Sequence, residues 1–553
     1  MDTQVTVIGA GPVGLTLAMD LAQRGIDVVV VESRSEDEPA DAKCNTVAAR
    51  TMEVFRSLGV ADQARAAGLS DDFPTDVLYC TSIAGEEIVR ITQPSRNERM
   101  AAGTHSAPGY LDSHWPTPEP VVRVSQLYLN PILFNHARTF ERITLLPETT
   151  FVSYEDQDGR VVATCETKGG ESLTISSRYL IGCDGGASSV RRQMGVKLVG
   201  DAEIAKSRTA LVRCRAIRDL FPGKPAWMSW VVNPRTSGTV VAIDGEELWL
   251  VHRIVLMSKD FGSVDRDQSI RDVLGVGPEF TWEVVHHQDW TARRLVAERF
   301  RSGNVFLCGD AAHIWVPFAG YGMNAGIADC MNLSWMLAAV LKGQAEDRIL
   351  EAHERERHPI TEQVSKLAMD KALEYMERSQ NRTIPGVIEK RHFIGRLLRK
   401  RIGKQVYDIN APQFACEGLN FGYYYDDSPI IQYDGSDAPS YEMGSHTPSS
   451  VPGCRMPHFW IDDDTSLYDV LGEDYTLVSF DAGVVVDALV EAARARGFPL
   501  SVLHCEIPDQ SDWLQTGLIL VRPDRHVAWR GDTLPDDVDR LLDILTGKRM
   551  EAA

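Results

Sequence analysis

The chain has 553 residues, 44% of them hydrophobic, and a formal net charge of −21. That length points to more than one domain at ~100–200 residues each, with apolar content enough for sizeable cores. The charge excludes a nucleic-acid partner held by phosphate neutralisation, and no apolar run reaches the ~20 residues of a membrane span.

The ten cysteines form neither a CxxC pair nor a zinc spacing. Reduced, mostly buried thiols of a cytoplasmic protein are expected, with no metal site. The N-terminus enters a strand directly, so no signal peptide is expected.

The apolar run Val5 to Ile8 reads as a buried parallel strand that meets Gly9, Gly11 and Gly14. Gly9 permits a tight turn, Gly11 lets backbone N–H groups approach a pyrophosphate, and Gly14 lets the following helix pack on the strand. The helix N-terminus faces the phosphates with its positive dipole end. A second buried strand, Val28 to Val31, ends at Glu32, an acid roughly 20 residues on that can hydrogen-bond a ribose hydroxyl. Strand, glycines, helix, strand and acid thus fall in dinucleotide-binding order.

The segment from Arg50 to Leu58 is helical in pattern, and residues 76–91 alternate as a hairpin. Residues 92–120, rich in Pro, Ser, Gly and His, read as a long loop or lid. A helix follows over 125–138, then short strands ending in the buried run Tyr179 to Cys183. Residues 200–284 hold strand-like runs expected to form a separate antiparallel sheet, and 325–400 are largely helical. Residues 425–457 look like a linker, and a compact βαββ-like unit follows.

Two further motifs add weight. Asp184 and Gly185 lie in GCDGGASSVR, at the end of a buried strand. Asp184 is either a cofactor contact or a helix-capping acid. The second motif runs from Val305 through Asp310 and His313 to Pro317, Gly320, Gly322, Met323 and Asn324, then enters a helix. Asp310 can accept a hydrogen bond from a ribityl chain. The Gly320–Asn324 turn can offer backbone N–H groups and a helix dipole to the flavin N1/C2 oxygen region.

The trio GAGPVG…E, CDGGASSVR and GDAAH…P…GYGMN resembles the class A, single-component FAD-dependent aromatic hydroxylases over roughly residues 1–400. The Arg50-Thr51-Met52-Glu53 segment and the tail point to the phenol hydroxylase and polyketide hydroxylase branch. The resemblance implies an α/β fold with a Rossmann-like FAD-binding domain (1–75, 115–195 and 285–400). An interleaved α+β substrate domain (76–114 and 196–284), a linker region (401–457) and a thioredoxin-like domain (458–553) complete it. It places FAD on Gly9, Gly11, Gly14 and Glu32, and carries Lys43, Arg123, Gln126 and Asp310 onto FAD-contacting positions. Asp184 is associated there with both FAD and NAD(P)H. With no second nucleotide-binding turn visible, NADPH or NADH is expected to bind transiently.

The implied chemistry is reduction of FAD by NAD(P)H, reaction with O2 to a C4a-hydroperoxide, and oxygen transfer to an electron-rich ring. A base that removes a phenolic proton accelerates that transfer, and water must be excluded. The family places Pro317 at the flavin's substrate-facing rim. His313 is either near that rim or a core-packed histidine. In the hydroxybiphenyl-type branch a catalytic His sits five residues before the Arg of the RTME segment. Here that position is Asn45, which is no base at neutral pH. The base is then in the middle domain, for example His252 or Arg253, or the substrate ionises unaided.

The tail lacks CxxC, so a packing or dimerisation module is expected rather than a redox one. The Trp227–Trp230 cluster reads as core aromatics. A small hydrophobic aromatic substrate, O2 and a homodimer or higher homo-oligomer are the expected partners. A Baeyer–Villiger or drug-inactivating monooxygenase of the same fold, or a non-oxygenating flavin reductase, is the alternative.

Overall fold

The computed structural model describes residues 1–39, 45–101, 116–157, 159–255, 257, 260–315, 320–380, 385–414, 416–481, 483–508 and 511–549, the side chains of 202, 371–380 and 412 excepted. Lys43 and Pro317 lie outside the described residues.

The first layer is a six-stranded sheet in the order Arg301–Ser302, Val305–Leu307, Tyr179–Gly182, Val5–Ile8, Val28–Val31, Ile143–Leu146. Its central strands are buried on both faces, which explains their unbroken apolar runs. Alternation sorts their side chains. Val5, Val7, Val28 and Val30 pack with helices Pro12–Gln23 and Gly322–Leu341. Ile8, Val29 and Val31 pack with Phe151, Val161 and Ile175 of a three-stranded antiparallel sheet formed by residues 149–157, 160–167 and 172–177.

The second sheet has eight strands, in the order His313–Ile314, Glu283–Ala297, Leu198–Arg213, Leu248–Val255, Ser237–Ala242, Met228–Val232, Val77–Cys80, Glu87–Ile91. It extends beyond the expected antiparallel sheet of 200–284. The hairpin Val77–Ile91 joins it through one parallel pairing, Val77 opposite Met228. The boundary expected at residue 285 falls inside the strand Glu283–Ala297.

The expected linker of 401–457 is not a loose connection. Helix Phe393–Phe414 runs into it. Past residue 422 the segment has little regular structure, yet Tyr423, Tyr425, Ile430, Ile431 and Val451 are buried. These large apolar side chains make it a packed strap. The C-terminal unit is a four-stranded sheet in the order Leu500–His504, Tyr475–Ser479, Leu518–Val521, Val527–Gly531, with helices Asp487–Arg496 and Val538–Leu545.

Buried ion pairs tie this unit to the rest. Arg522 holds Glu356 at 2.6 and 2.9 Å. Arg455 and Arg525 reach Glu53 at 2.7 and 3.0 Å. Among the described residues no helix is long and apolar enough to cross a membrane, no group of His, Cys, Asp and Glu is placed to hold a metal, and nine cysteines are free thiols.

Candidate active site

A cavity of about 1060 Å³ opens between the two sheets, lined both by the glycine turn and by one face of the eight-stranded sheet. At the turn, each glycine answers a different need. Gly9 has φ +108°, and a Cβ there would stand 2.5 Å from the Cys183 carbonyl oxygen. A Cβ on Gly14 would stand 2.0 Å from the Gly9 oxygen, so only hydrogen lets helix Pro12–Gln23 sit this close. Gly11 has φ −72° and ψ 176°, ordinary for any residue, and a Cβ would meet nothing within 4 Å. Its space belongs to the cavity. Gly11 also caps the helix with no side chain, leaving the positive end of the dipole open. This cradle is what a pyrophosphate requires.

Glu32 stands at the end of its strand and on the cavity wall, where its Oε2 accepts from Ala10 N at 2.8 Å. Asp184 divides its oxygens. Oδ2 accepts from Ser189 N at 2.7 Å and Val190 N at 3.2 Å, capping the short helix Ser189–Gln193. Oδ1 is buried without a partner among the described residues, and the residue lines the cavity. Both readings of Asp184 therefore have an atom. Asp310, Gly320, Gly322, Met323, Arg123 and Gln126 also line the cavity. Arg123 is set by Thr46 Oγ1 at 2.7 Å and Gln93 Oε1 at 3.1 Å, with its guanidinium 3.6 Å from the centre of the Trp227 ring. The described wall fits FAD in its donors, its acids and its open phosphate cradle.

The expectation for Asn324 concerns its backbone N–H; its side chain has a separate role. Its Oδ1 accepts from Ala48 N at 2.9 Å and its Nδ2 donates to Thr46 O at 3.0 Å. The side chain braces the turn from behind instead of facing the cavity.

The sheet face carries the other half of the wall. Side chains alternate along strands, which turns Met228, Trp230, Val241, Leu250, Ile254 and Trp290 toward the cavity, together with Thr209 and His252. The pair Trp227 and Trp230, read from sequence as core, both line it. The same alternation corrects Arg253. It points to the opposite face, where it donates to Arg235 O at 3.1 Å, and it does not line the cavity. Asn45 and His252 do line it. Burial lowers His252 to about 4, so its ring is neutral at pH 7.

Of the two readings of His313, the core-packed one holds and the catalytic one does not. His313 is 1% exposed, lies behind the wall, and meets Asp329 Oδ2 at 2.7 Å. Arg357 reaches the other Asp329 oxygen at 2.8 Å, and Gly309 N donates to Oδ2 at 3.1 Å. Although burial opposes ionisation, His313 and Arg357 hold the Asp329 carboxyl well below the usual carboxylate range. This is a structural cluster under the Gly309-Asp310 turn. Arg191 adds to it by donating to Ala311 O and Gly186 O, both at 2.8 Å, which joins the two Asp-containing motifs. The RTME segment proves structural too. Arg50 lies 4.4 Å from the centre of the Tyr423 ring, and Glu53 anchors the C-terminal arginines.

The FAD binding domain family matches residues 2–368, and the family described as aromatic-ring hydroxylase, C-terminal, matches residues 449–548. A phenol 2-monooxygenase of Pseudomonas sp. (strain EST1001) is 29% identical over 99% of this chain and 93% of its own. A tetracenomycin B2 monooxygenase-dioxygenase of Streptomyces olivaceus is 27% identical over 98% of both. Among solved structures, the rebeccamycin biosynthetic enzyme RebC with reduced flavin superposes with a TM-score of 0.88 at 31% identity, covering 99% of both chains. Aklavinone-11 hydroxylase with FAD and aklavinone gives 0.81 at 25%, also over 99% of both. With its glycine cradle, its paired acids and these full-length relatives, the chain belongs to the FAD-dependent aromatic-ring hydroxylases, in the phenol and polyketide hydroxylase branch of the class A flavoprotein monooxygenases.

Proposed function

We propose that this enzyme hydroxylates a hydrophobic phenolic or fused-ring hydroxyaromatic substrate, consuming NAD(P)H and O2. The observation that carries the reading is the continuity of one cavity from the Gly11 cradle to the aromatic sheet face. FAD, when bound and reduced, supplies the O2-activating chemistry. Gly9, Gly11, Glu32, Arg123, Gln126, Asp184, Asp310, Gly320, Gly322 and Met323 would hold it.

The chain's own residues then do three things. The open helix end at Gly11 binds phosphate charge. Met228, Trp230, Val241, Leu250 and Trp290 give a flat ring an apolar surface and keep water from the reacting centre. His252 and Asn45 supply polar contacts on that wall. Burial lowers His252 to about 4, which makes it a weak base toward a phenol, and Asn45 does not titrate; both favour a substrate that ionises with little help. The C-terminal sheet, with one parallel and two antiparallel pairings, supports a thioredoxin-like unit. Its ion pairs from Arg525 to Glu53 and from Arg522 to Glu356 favour packing over redox work.

The relatives' names, which give phenol, tetracenomycin B2 and aklavinone, agree with the apolar wall. The test is stimulated NAD(P)H consumption by FAD-loaded enzyme, with product mass, across 2-hydroxybiphenyl, 1-naphthol, 1-hydroxyanthraquinone and 4-hydroxybenzoate. Hydrophobic phenols should stimulate and gain one oxygen. Stimulation by 4-hydroxybenzoate alone contradicts the proposal.

A further inference from the structure

On the cavity face of the eight-stranded sheet, three neighbouring strands bring Trp290, Thr209 and His252 into one line. Thr209 lies opposite His252 in the register of strands Leu198–Arg213 and Leu248–Val255. Trp290 reaches the same hydroxyl from strand Glu283–Ala297. The indole Nε1–H donates to Thr209 Oγ1 at 2.9 Å. Indole nitrogen is a donor only, so this bond has a fixed direction.

The Thr209 hydroxyl then has one proton to give. Two acceptors lie in reach, His252 Nδ1 at 2.7 Å and Ser207 Oγ at 3.5 Å. A contact of 2.7 Å is at the optimum for a hydroxyl donor, whereas 3.5 Å is beyond it. A hydroxyl keeps a second lone pair beside the one that takes the indole N–H, so the roles follow from the length of the contact. The 2.7 Å is shorter than the ~2.9–3.0 Å usual for an N–H donor, which favours Thr209 as donor and Nδ1 as acceptor. In a neutral imidazole the other nitrogen must then carry the hydrogen. Burial lowers His252 to about 4 and keeps the ring neutral. Among the described residues the His252 ring has no hydrogen-bond partner besides Thr209, and the half-buried ring lines the cavity edge-on to Trp290.

We propose that Trp290 and Thr209 fix the tautomer of His252, so that its Nε2–H is a hydrogen-bond donor offered to the substrate. His252 therefore selects an acceptor oxygen, and the preferred substrates are fused aromatics bearing a ring carbonyl or a phenolate. Thr209 is a positioning residue that acts through His252. A catalytic-base role for His252 is replaced by this one, since Nε2 has no lone pair to take a proton. An unpaired donor in a desolvated wall penalises ligands that cannot satisfy it. The inference rests on the ring-hydroxylase reading only in placing the substrate against this sheet face.

Three tricyclic probes of nearly one shape test it: 9-fluorenone presents an acceptor, carbazole presents an N–H donor, and fluorene presents neither. Each is titrated into FAD-loaded enzyme and followed by perturbation of the flavin absorbance, so the result does not depend on turnover. Fluorenone should bind about fivefold to tenfold more tightly than fluorene, with carbazole no better than fluorene. The preference should vanish in His252→Leu and survive in His252→Gln, whose amide donates from a similar reach. It should fall in Thr209→Val and return in Thr209→Ser, which a role in packing alone would not produce. A preference for carbazole, equal binding of the three probes, or a fluorenone preference that persists in His252→Leu overturns the proposal. Loss of hydroxylation with the fluorenone preference intact would instead count against the reaction assigned above.

Discussion

Replacing Gly11 and Gly14 one at a time by alanine separates ligand space from packing space. At Gly11 the backbone is extended, with φ −72° and ψ 176°, and a Cβ meets no protein atom within 4 Å. Alanine is compatible there, and the ~0.4–1 kcal/mol gained from a restricted unfolded chain is offset by alanine's poorer fit at a helix N-cap, so the flavin-free protein should change little in stability. That methyl nevertheless occupies the approach to the open end of helix Pro12–Gln23. A lost hydrogen bond to a charged phosphate costs about 1.5–3 kcal/mol, which at ~1.4 kcal/mol per factor of ten is roughly a 10- to 100-fold weaker FAD complex. At Gly14 the added Cβ falls 2.0 Å from the Gly9 oxygen and 3.2 Å from Val7 Cγ1. Backbone cannot yield cheaply, so Gly14→Ala should lose about 1–3 kcal/mol of stability before any ligand is considered. Thermal unfolding of the apoproteins and flavin fluorescence titration read the two effects. If Gly11→Ala binds FAD as tightly as the wild type, the cradle has been misplaced.

Asp310→Ala should fold but be purified with most of its flavin lost, measured from the visible absorbance per chain; wild-type flavin content would remove Asp310 from the site. Arg522→Met leaves Glu356 buried without its arginine, and breaking such a pair costs about 3–5 kcal/mol, which denaturant unfolding should register; a change under about 1 kcal/mol would mean the C-terminal unit is held elsewhere. Burial lowers His252 and His526 to about 4 and His446 to about 3, against about 6.5 in an unfolded chain. Between those values the unfolded chain binds protons that the folded chain refuses, so stability should fall as pH drops from about 6.5 to 4; a flat Tm over that range would contradict the burial of these rings.

Much of the cofactor half was legible because its demands are local. Gly9 and Gly14 lie where a tight turn and a close helix need them, Glu32 follows its strand onto the cavity wall, and the unbroken apolar run Val28–Val31 marks a strand covered on both faces. The middle sheet was less legible. Its pairing of Val77 with Met228 joins residues about 150 positions apart, and no local pattern reports that. The same holds for Trp290, Thr209 and His252, which meet only because three strands align. Their period-two spacing gives the face but not the neighbours. His313 is ambiguous in sequence because its partner Asp329 lies a helix turn or more into Gly322–Leu341, and a buried contact between distant residues has no local pattern. The strap at 422–457 reads as a linker in sequence because proline, serine and glycine dominate its composition, while a few tyrosines and isoleucines decide its packing. Arg253 and His252 are adjacent in sequence and opposite in space, so alternation separates them once one of them is known to face the cavity.

The central claim, transfer of one oxygen atom from O2 to an aromatic ring in this cavity, is tested most directly by turnover under ¹⁸O2 with a hydrophobic phenol that stimulates NAD(P)H consumption. The expected product is heavier by one ¹⁸O, on a ring carbon ortho or para to the existing hydroxyl, with no label incorporated from H2¹⁸O in the reverse experiment. A product oxygen drawn from water, a base-labile ester, or NAD(P)H consumption with no oxygenated product would contradict it.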